Sequence, residues 1–200
     1  MVLLIRQEQM KNFIPLVIFM ISNSKPKIIV VRHGQSDHNI PHIYNSSLND
    51  KVSHLTEKGK EQIKETAKEL IKLGVNNKNV SAIYASPFPR TQKTAEILAD
   101  AGLFDPKRIA VDNRIKEQDA GTLDGKPALE DDNLLKNYGG ESYADVDKRI
   151  ESFLKDLKPK DGEYIIVVTH EKIAKELIRI ISGKDKILNT GQFIILNLNK

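Results

Sequence analysis

Apolar and polar positions divide the chain into two alternating kinds of segment. Five short apolar runs bounded by polar residues read as strands: 27–31, 80–85, 108–111, 164–168 and 192–198. "KIIVV" and "YIIVV" are apolar on both faces, so they belong at the centre of a parallel sheet. The last run alternates less clearly and suits an edge. Between the runs, apolar residues recur at helical spacing. Ile63, Ala67, Leu70 and Ile71 mark one helix, closed by Gly74, with Thr56 as N-cap and Glu57 favouring the positive helix end. Thr91, Ala95, Leu98 and Ala99 mark a second, ending at Gly102. Val146, Ile150, Phe153, Leu154 and Leu157 mark a third, ending before Pro159, and Ile173, Leu177, Ile178 and Ile181 a fourth, ending at Gly183. Strands alternating with helices predict an α/β fold, a three-layer α/β/α sandwich around a mostly parallel central sheet.

Two stretches fall outside this pattern. Residues 113–143 follow neither period and are rich in Gly, Asp and Asn, which suits a lid or substrate wall. Residues 1–24 hold the apolar run "NFIPLVIFMIS" after Lys11. The run is shorter than the roughly 20 residues that span a bilayer, so no stable membrane insertion is expected. Its length fits a signal-peptide core, with Ser22 and Ser24 flanking a cleavage site, or else an upstream extension with translation starting at Met10 or Met20. The expected division is this segment followed by one domain over 25–200, placed in the cytoplasm, or exported if the segment is a leader.

Composition narrows the chemistry. The 200 residues contain no cysteine, which excludes disulfides, thiolate metal sites and cysteine nucleophiles. The net charge of +4 is spread over interspersed lysines and glutamates, with no long basic run, so no nucleic-acid partner is expected.

The carboxyl ends of the strands carry the candidate site, because open α/β sheets bind ligands there. "IIVVRHG" ends on Arg32 and His33, and "IIVVTH" ends on His170. "VSAIYASPFPR" delivers Arg90 just past a third strand end. Two arginines and two histidines in one crevice call for an anion, and arginine forks match phosphate oxygens. The same arginines repel a dication, so no metal is expected.

"VRHGQSDHN", "LTEKGKEQ", "SPFPRTQKTAEIL", "RIKEQDAGTLDG", "GGESYADVDKRI" and "VVTHEKIAKEL" together resemble, in the same order, the motifs of the histidine phosphatase superfamily, the phosphoglycerate mutase-like family. The resemblance covers about residues 25–182. It implies a phosphoglycerate mutase-like fold and a metal-independent, cofactor-free phosphomonoesterase acting on a small phosphorylated metabolite. By the same resemblance His33 attacks phosphorus, Arg32, Asn39, Arg90 and His170 hold the phosphoryl oxygens, and Glu117 serves as general acid and then base. Phosphoglycerate mutase is the alternative, disfavoured by the short span between Arg90 and Lys136. A non-catalytic phospho-ligand-binding pseudoenzyme is a further one. Gln35, Ser36 and Asp37 are expected to be loop groups, His38, His42 and His54 to line the surface or substrate rim, and 139–142 to shape a turn. One departure stands out. Glu171 follows His170 where the family commonly has glycine, and it is expected to point away from the pocket or to pair, for instance with Lys172.

Overall fold

In the computed structural model, residues 25–39, 43–47 and 53–198 are described; the N-terminal 24 residues and His42 lie outside them. Five strands form one sheet: β1 (Lys27–Arg32), β2 (Val80–Ala85), β3 (Ile109–Val111), β4 (Tyr164–Thr169) and β5 (Phe193–Asn197), in the spatial order β3-β2-β4-β1-β5. The two doubly apolar runs are neighbours at the centre, and the least regular run lies at an edge. β1, β2, β3 and β4 run parallel, while β5 pairs antiparallel to β1. Arg108, expected to open the third strand, ends a 3-10 turn (Pro106–Arg108) instead, because Pro106 at its start and the Asp105 cap hold that turn.

Alternate residues of the central strands face opposite layers, as the pleat demands. Ile29, Val31, Ile166 and Val168 pack against α1 (Glu57–Lys72) and α2 (Pro89–Asp100) through Ile63, Leu70, Ala95 and Leu98. Ile28, Val30, Ile165 and Val167 pack against α3 (Tyr143–Asp156) and α4 (Glu171–Ser182) through Val146, Ile150, Phe153 and Leu177. The result is the three-layer sandwich. Full burial of each such side chain contributes about 1.5–3 kcal/mol, so the strands that carry the histidines are the most firmly held part of the chain.

Caps set the helix ends. Thr56 accepts the Gly59 N–H at 3.0 Å to begin α1, and Ser142 with Asp145 forms a capping box on α3. Gly183 in the left-handed conformation closes α4. The stretch 113–143 contains three 3-10 segments, Asn113–Ile115, Gly121–Leu123 and Asp132–Tyr138. With residues 43–47 it forms a cap over a small core of Tyr44, Ala120 and Leu135. Among the described residues no helix is long and apolar enough to cross a membrane.

Candidate active site

Register explains why two histidines remote in sequence meet. β1 and β4 pair with Val31 opposite Val168 and Arg32 opposite Thr169, so His33 and His170 leave adjacent strands at the same level. The His33 N–H extends the ladder by donating to the Thr169 carbonyl at 3.0 Å. The ring centroids lie 5.2 Å apart in an edge-on arrangement, and both residues are buried. Two imidazoles at that separation can contact one tetrahedral oxyanion.

Each ring is fixed in orientation. His33 Nδ1 lies 2.7 Å from the Gly34 carbonyl oxygen. A carbonyl only accepts, so Nδ1 carries the proton and Nε2 keeps its lone pair. Gly34 is required for space: a Cβ there would sit 2.4 Å from the Gly59 carbonyl oxygen, and a Cβ on Gly59 would sit 2.1 Å from that of Gln35. The glycines of "RHG" and "LTEKG" are thus the two sides of one close backbone contact between the strand end and α1.

His170 Nε2 meets Ser86 Oγ at 2.7 Å, and its Nδ1 is buried without a hydrogen-bond partner among the described residues. That nitrogen approaches Glu117 Oε2 at 3.7 Å, too far for a hydrogen bond. The Ser86 hydroxyl has no other acceptor among the described residues, so it donates to Nε2, and Nδ1 holds the ring proton and is left as a donor. Both imidazoles are pushed well below their ordinary pKa, chiefly by burial and then by the Arg90 charge; Arg32 lowers both further. His33 is therefore neutral at pH 7, the state a nucleophile needs. It follows that His170 and Glu117 do not form an ion pair here.

The cations sit around this pair. Arg32 Nη1 donates to the Leu188 carbonyl at 2.8 Å and also meets Glu171, while its Nε is buried without a hydrogen-bond partner among the described residues. The Arg90 guanidinium lies 4.4 Å over the Phe88 ring and donates to Ser53 Oγ and the Asn45 carbonyl, both at 2.9 Å. Phe88 packs edge-on against His170 as well, 5.1 Å between ring centroids, so one aromatic ring spaces the arginine from the histidine.

Glu117 is positioned from several sides. Thr169 Oγ1 donates to the Ile115 carbonyl at 2.8 Å, which ties the preceding turn to the end of β4. Arg149 in α3 donates to the Arg114 carbonyl at 2.6 Å and to the Glu117 carbonyl at 3.4 Å. The Gln118 N–H binds Glu117 Oε1 at 3.0 Å. Asn39 commits its Oδ1 to the Ser36 N–H and Oγ, at 2.9 and 3.0 Å, which leaves its amide NH₂ as the unspent donor.

The structure brings Arg32, His33, Arg90, Glu117 and His170 to one edge of the sheet, and sets Asn39 at the end of a 3-10 segment, Asp37–Asn39, in the loop that follows His33. Gln35 and Ser36 are loop groups: the Gln35 carbonyl accepts the Thr56 N–H at 2.9 Å, and Ser36 is buried against Leu55. Asp37 and His54 are exposed. Glu171 pairs with Arg32 rather than Lys172, whose Nζ lies 2.5 Å from Asp132. It starts α4 in helical conformation, so no glycine is required there. Sequence reasoning missed Ser86 and Arg149. Ser86 stands just past the end of β2, next to β4, and donates its N–H to the Val168 carbonyl at 3.1 Å, so strand-end position alone could have found it. Arg149 lies inside a helix, and nothing local marks it.

A hollow of about 460 Å³ between the start of α1 and α2 is lined by His54, Lys60, Gln92, Lys93 and Glu96, and neither imidazole borders it.

The comparisons with known proteins point the same way. A family profile described as the histidine phosphatase superfamily, branch 1, matches residues 28–189. The chain is 28% identical over 174 residues to phosphoserine phosphatase 1 of Hydrogenobacter thermophilus, covering 80% of this chain and 77% of that protein. It is 29% identical over 199 residues to a 2,3-bisphosphoglycerate-dependent phosphoglycerate mutase of Mesorhizobium japonicum, covering 86% and 92%. A solved mycobacterial glucosyl-3-phosphoglycerate phosphatase complexed with VO3 shares the fold at a TM-score of 0.65 and 21% identity, over 84% of this chain and 91% of that one. By its profile match, its relatives and its fold, the chain belongs to the histidine phosphatase superfamily.

Proposed function

We propose that the protein hydrolyses small phosphate monoesters through a phosphohistidine on His33. The observation that carries this reading is that Arg32 Nε and His170 Nδ1, at the ends of the adjacent strands that bear the imidazole pair, are both buried without a hydrogen-bond partner among the described residues. A buried N–H without a partner costs about 1–3 kcal/mol, so two on neighbouring strand ends indicate a missing acceptor. A phosphoryl group supplies it.

The steps then follow from the geometry. His33 Nε2 attacks phosphorus while its Nδ1–H stays on the Gly34 carbonyl. Arg32, Arg90, His170 and the Asn39 amide take the non-reacting oxygens, where the cations stabilise the charge in transit. Glu117 gives its proton to the departing ester oxygen as the P–O bond breaks. Water next attacks the phosphohistidine, Glu117 takes the water's proton, and His33 and inorganic phosphate are released. Ser86 and Arg149 position His170 and Glu117 and touch no reacting atom. Two arginines, His170 and the neutral Asn39 amide stabilise the charge without a metal, so EDTA is expected to leave turnover unchanged.

Among the relatives are phosphoserine phosphatases and phosphoglycerate mutases, and the two readings differ in whether water or a second hydroxyl accepts the phosphoryl group. The short cap favours water as the final acceptor. The test is p-nitrophenyl phosphate hydrolysis by wild type and His33→Ala. A loss of about three orders of magnitude or more with an unchanged melting temperature is expected. Undiminished turnover in His33→Ala overturns the assignment. Rapid conversion of 3-phosphoglycerate to its 2-isomer in the presence of the bisphosphate, without phosphate release, would make the protein a mutase instead.

A further inference from the structure

We propose that Glu171 is a positioning residue that orients Arg32 for the phosphoryl group. This rests on the phosphomonoesterase reading and extends it to a side chain that the family pattern does not use.

The contacts of one guanidinium carry the inference. Arg32 Nη1 donates to the Leu188 carbonyl at 2.8 Å and forms an ion pair with the Glu171 carboxylate. That nitrogen is therefore committed to the protein. The remaining edge of the planar fork, Nε–H with Nη2, has the spacing of two phosphoryl oxygens. On that edge Nε is buried and has no partner among the described residues. Glu171 thus grips the face of Arg32 that substrate does not need and leaves open the face that it does. An arginine at a strand end without this anchor would sample several rotamers and meet the anion with one hydrogen at a time.

The surroundings exclude the simplest other role for Glu171, a surface ion pair with its neighbour. Lys172 is committed elsewhere, 2.5 Å from Asp132 and 4.8 Å above the Tyr44 ring. Glu171 is the first residue of α4, where a carboxylate is favoured by the helix dipole, so its placement beside Arg32 is held by backbone as well as charge. The Leu188 carbonyl comes from the segment between α4 and β5, so the anchor has two independent sides.

A mere competitor for Arg32 would behave oppositely, and the experiment separates the two. Kinetics of p-nitrophenyl phosphate and the inhibition constant of orthovanadate are measured for wild type, Glu171→Gln, Glu171→Ala, Arg32→Ala and the double Ala variant. Glu171→Ala is expected to lower kcat/KM about tenfold and to weaken vanadate by a similar factor. Glu171→Gln keeps an acceptor for Nη1 and is expected to lose no more than about threefold. In the Arg32→Ala background, Glu171→Ala should have no further effect. Tighter vanadate binding in both Glu171 variants overturns the proposal, as does an equal loss with and without Arg32. The side chain is 44% exposed, so its removal is tolerated by the fold, and a melting curve for each variant checks this. A wild-type protein that neither binds vanadate nor turns over the ester would sink the underlying phosphatase reading; normal wild-type behaviour with silent Glu171 variants sinks this inference alone.

Discussion

The carboxyl edge of the sheet and the cap beside it are built by different means. His33 and His170 project from β1 and β4, whose apolar side chains are buried on both faces and whose backbones are paired on both sides. Among the described residues the cap has a small core of Tyr44, Ala120 and Leu135, with Leu123 and Leu129 packed against it, and much of the rest is held by polar contacts. Asp124 accepts the Ser46 N–H at 2.6 Å, Ser46 Oγ at 3.0 Å and the Ser47 N–H at 3.2 Å, and Ser46 Oγ in turn accepts the Ala120 N–H at 2.9 Å. Asp132 joins Tyr44 to Lys172. Apolar burial fixes the reacting atoms, while hydrogen bonds, which contribute less each and yield more easily, hold the part that must adapt to a substrate.

One device is common to both regions. At the sheet edge Gly34 faces Gly59, and in the cap Gly121 and Gly140 let two backbones cross, a Cβ at Gly121 falling 2.1 Å from the Tyr138 carbonyl and one at Gly140 falling 2.3 Å from that of Asp119. Close backbone approach is what these glycines supply, in addition to the left-handed conformation at Gly121.

The largest effect that would sharpen the contrast is Gly34→Ala. The added methyl forces α1 from the strand end, so activity should fall at least a hundredfold, with about 1–3 kcal/mol lost from stability in urea unfolding. A variant that keeps both would show that the edge is not rigid. Asp124→Ala should act on the cap alone. A rise of about tenfold in KM, with kcat within about threefold, is expected for a small ester, because the reacting groups stay in place. If kcat collapses instead, the cap and the edge are one unit.

The smallest effect concerns pH. Both histidines titrate well below their unfolded value, so between about 6.5 and the depressed values the unfolded chain binds more protons than the native one. Stability is therefore complete above about pH 6.5 and lost as pH falls through that window. His33→Asn should flatten the acid-side loss measured by urea unfolding. An unchanged slope would mean that the buried pair is not its source.

The same division governs what was legible in the sequence. β1 and β4 were readable as central because apolar residues on both faces have no other stable place, and that placement carried Arg32, His33 and His170 with it. Thr56, Gly102 and Gly183 marked helix boundaries through local chemistry that does not depend on the rest of the fold. The cap was readable only as a stretch without period. Its bonds join Ser46 to Asp124 and Tyr44 to Asp132, pairs more than 70 positions apart with no repeating signal between them. Arg149 was invisible for the same reason, since its task depends on where α3 docks. Glu171 was visible as an exception to the family pattern, but its partner was not, because Lys172 is adjacent in sequence and Arg32 is adjacent only in space.

The central claim is that a phosphoryl group passes through His33. Rapid alkaline quenching of wild type during turnover of p-nitrophenyl phosphate, followed by peptide mass spectrometry, tests it directly. A single base-stable, acid-labile phosphoryl group on the peptide containing His33, absent from His33→Ala, is the predicted result. Turnover with no phosphorylated peptide under saturating substrate, or a phosphoryl group found on His170 instead, would contradict it.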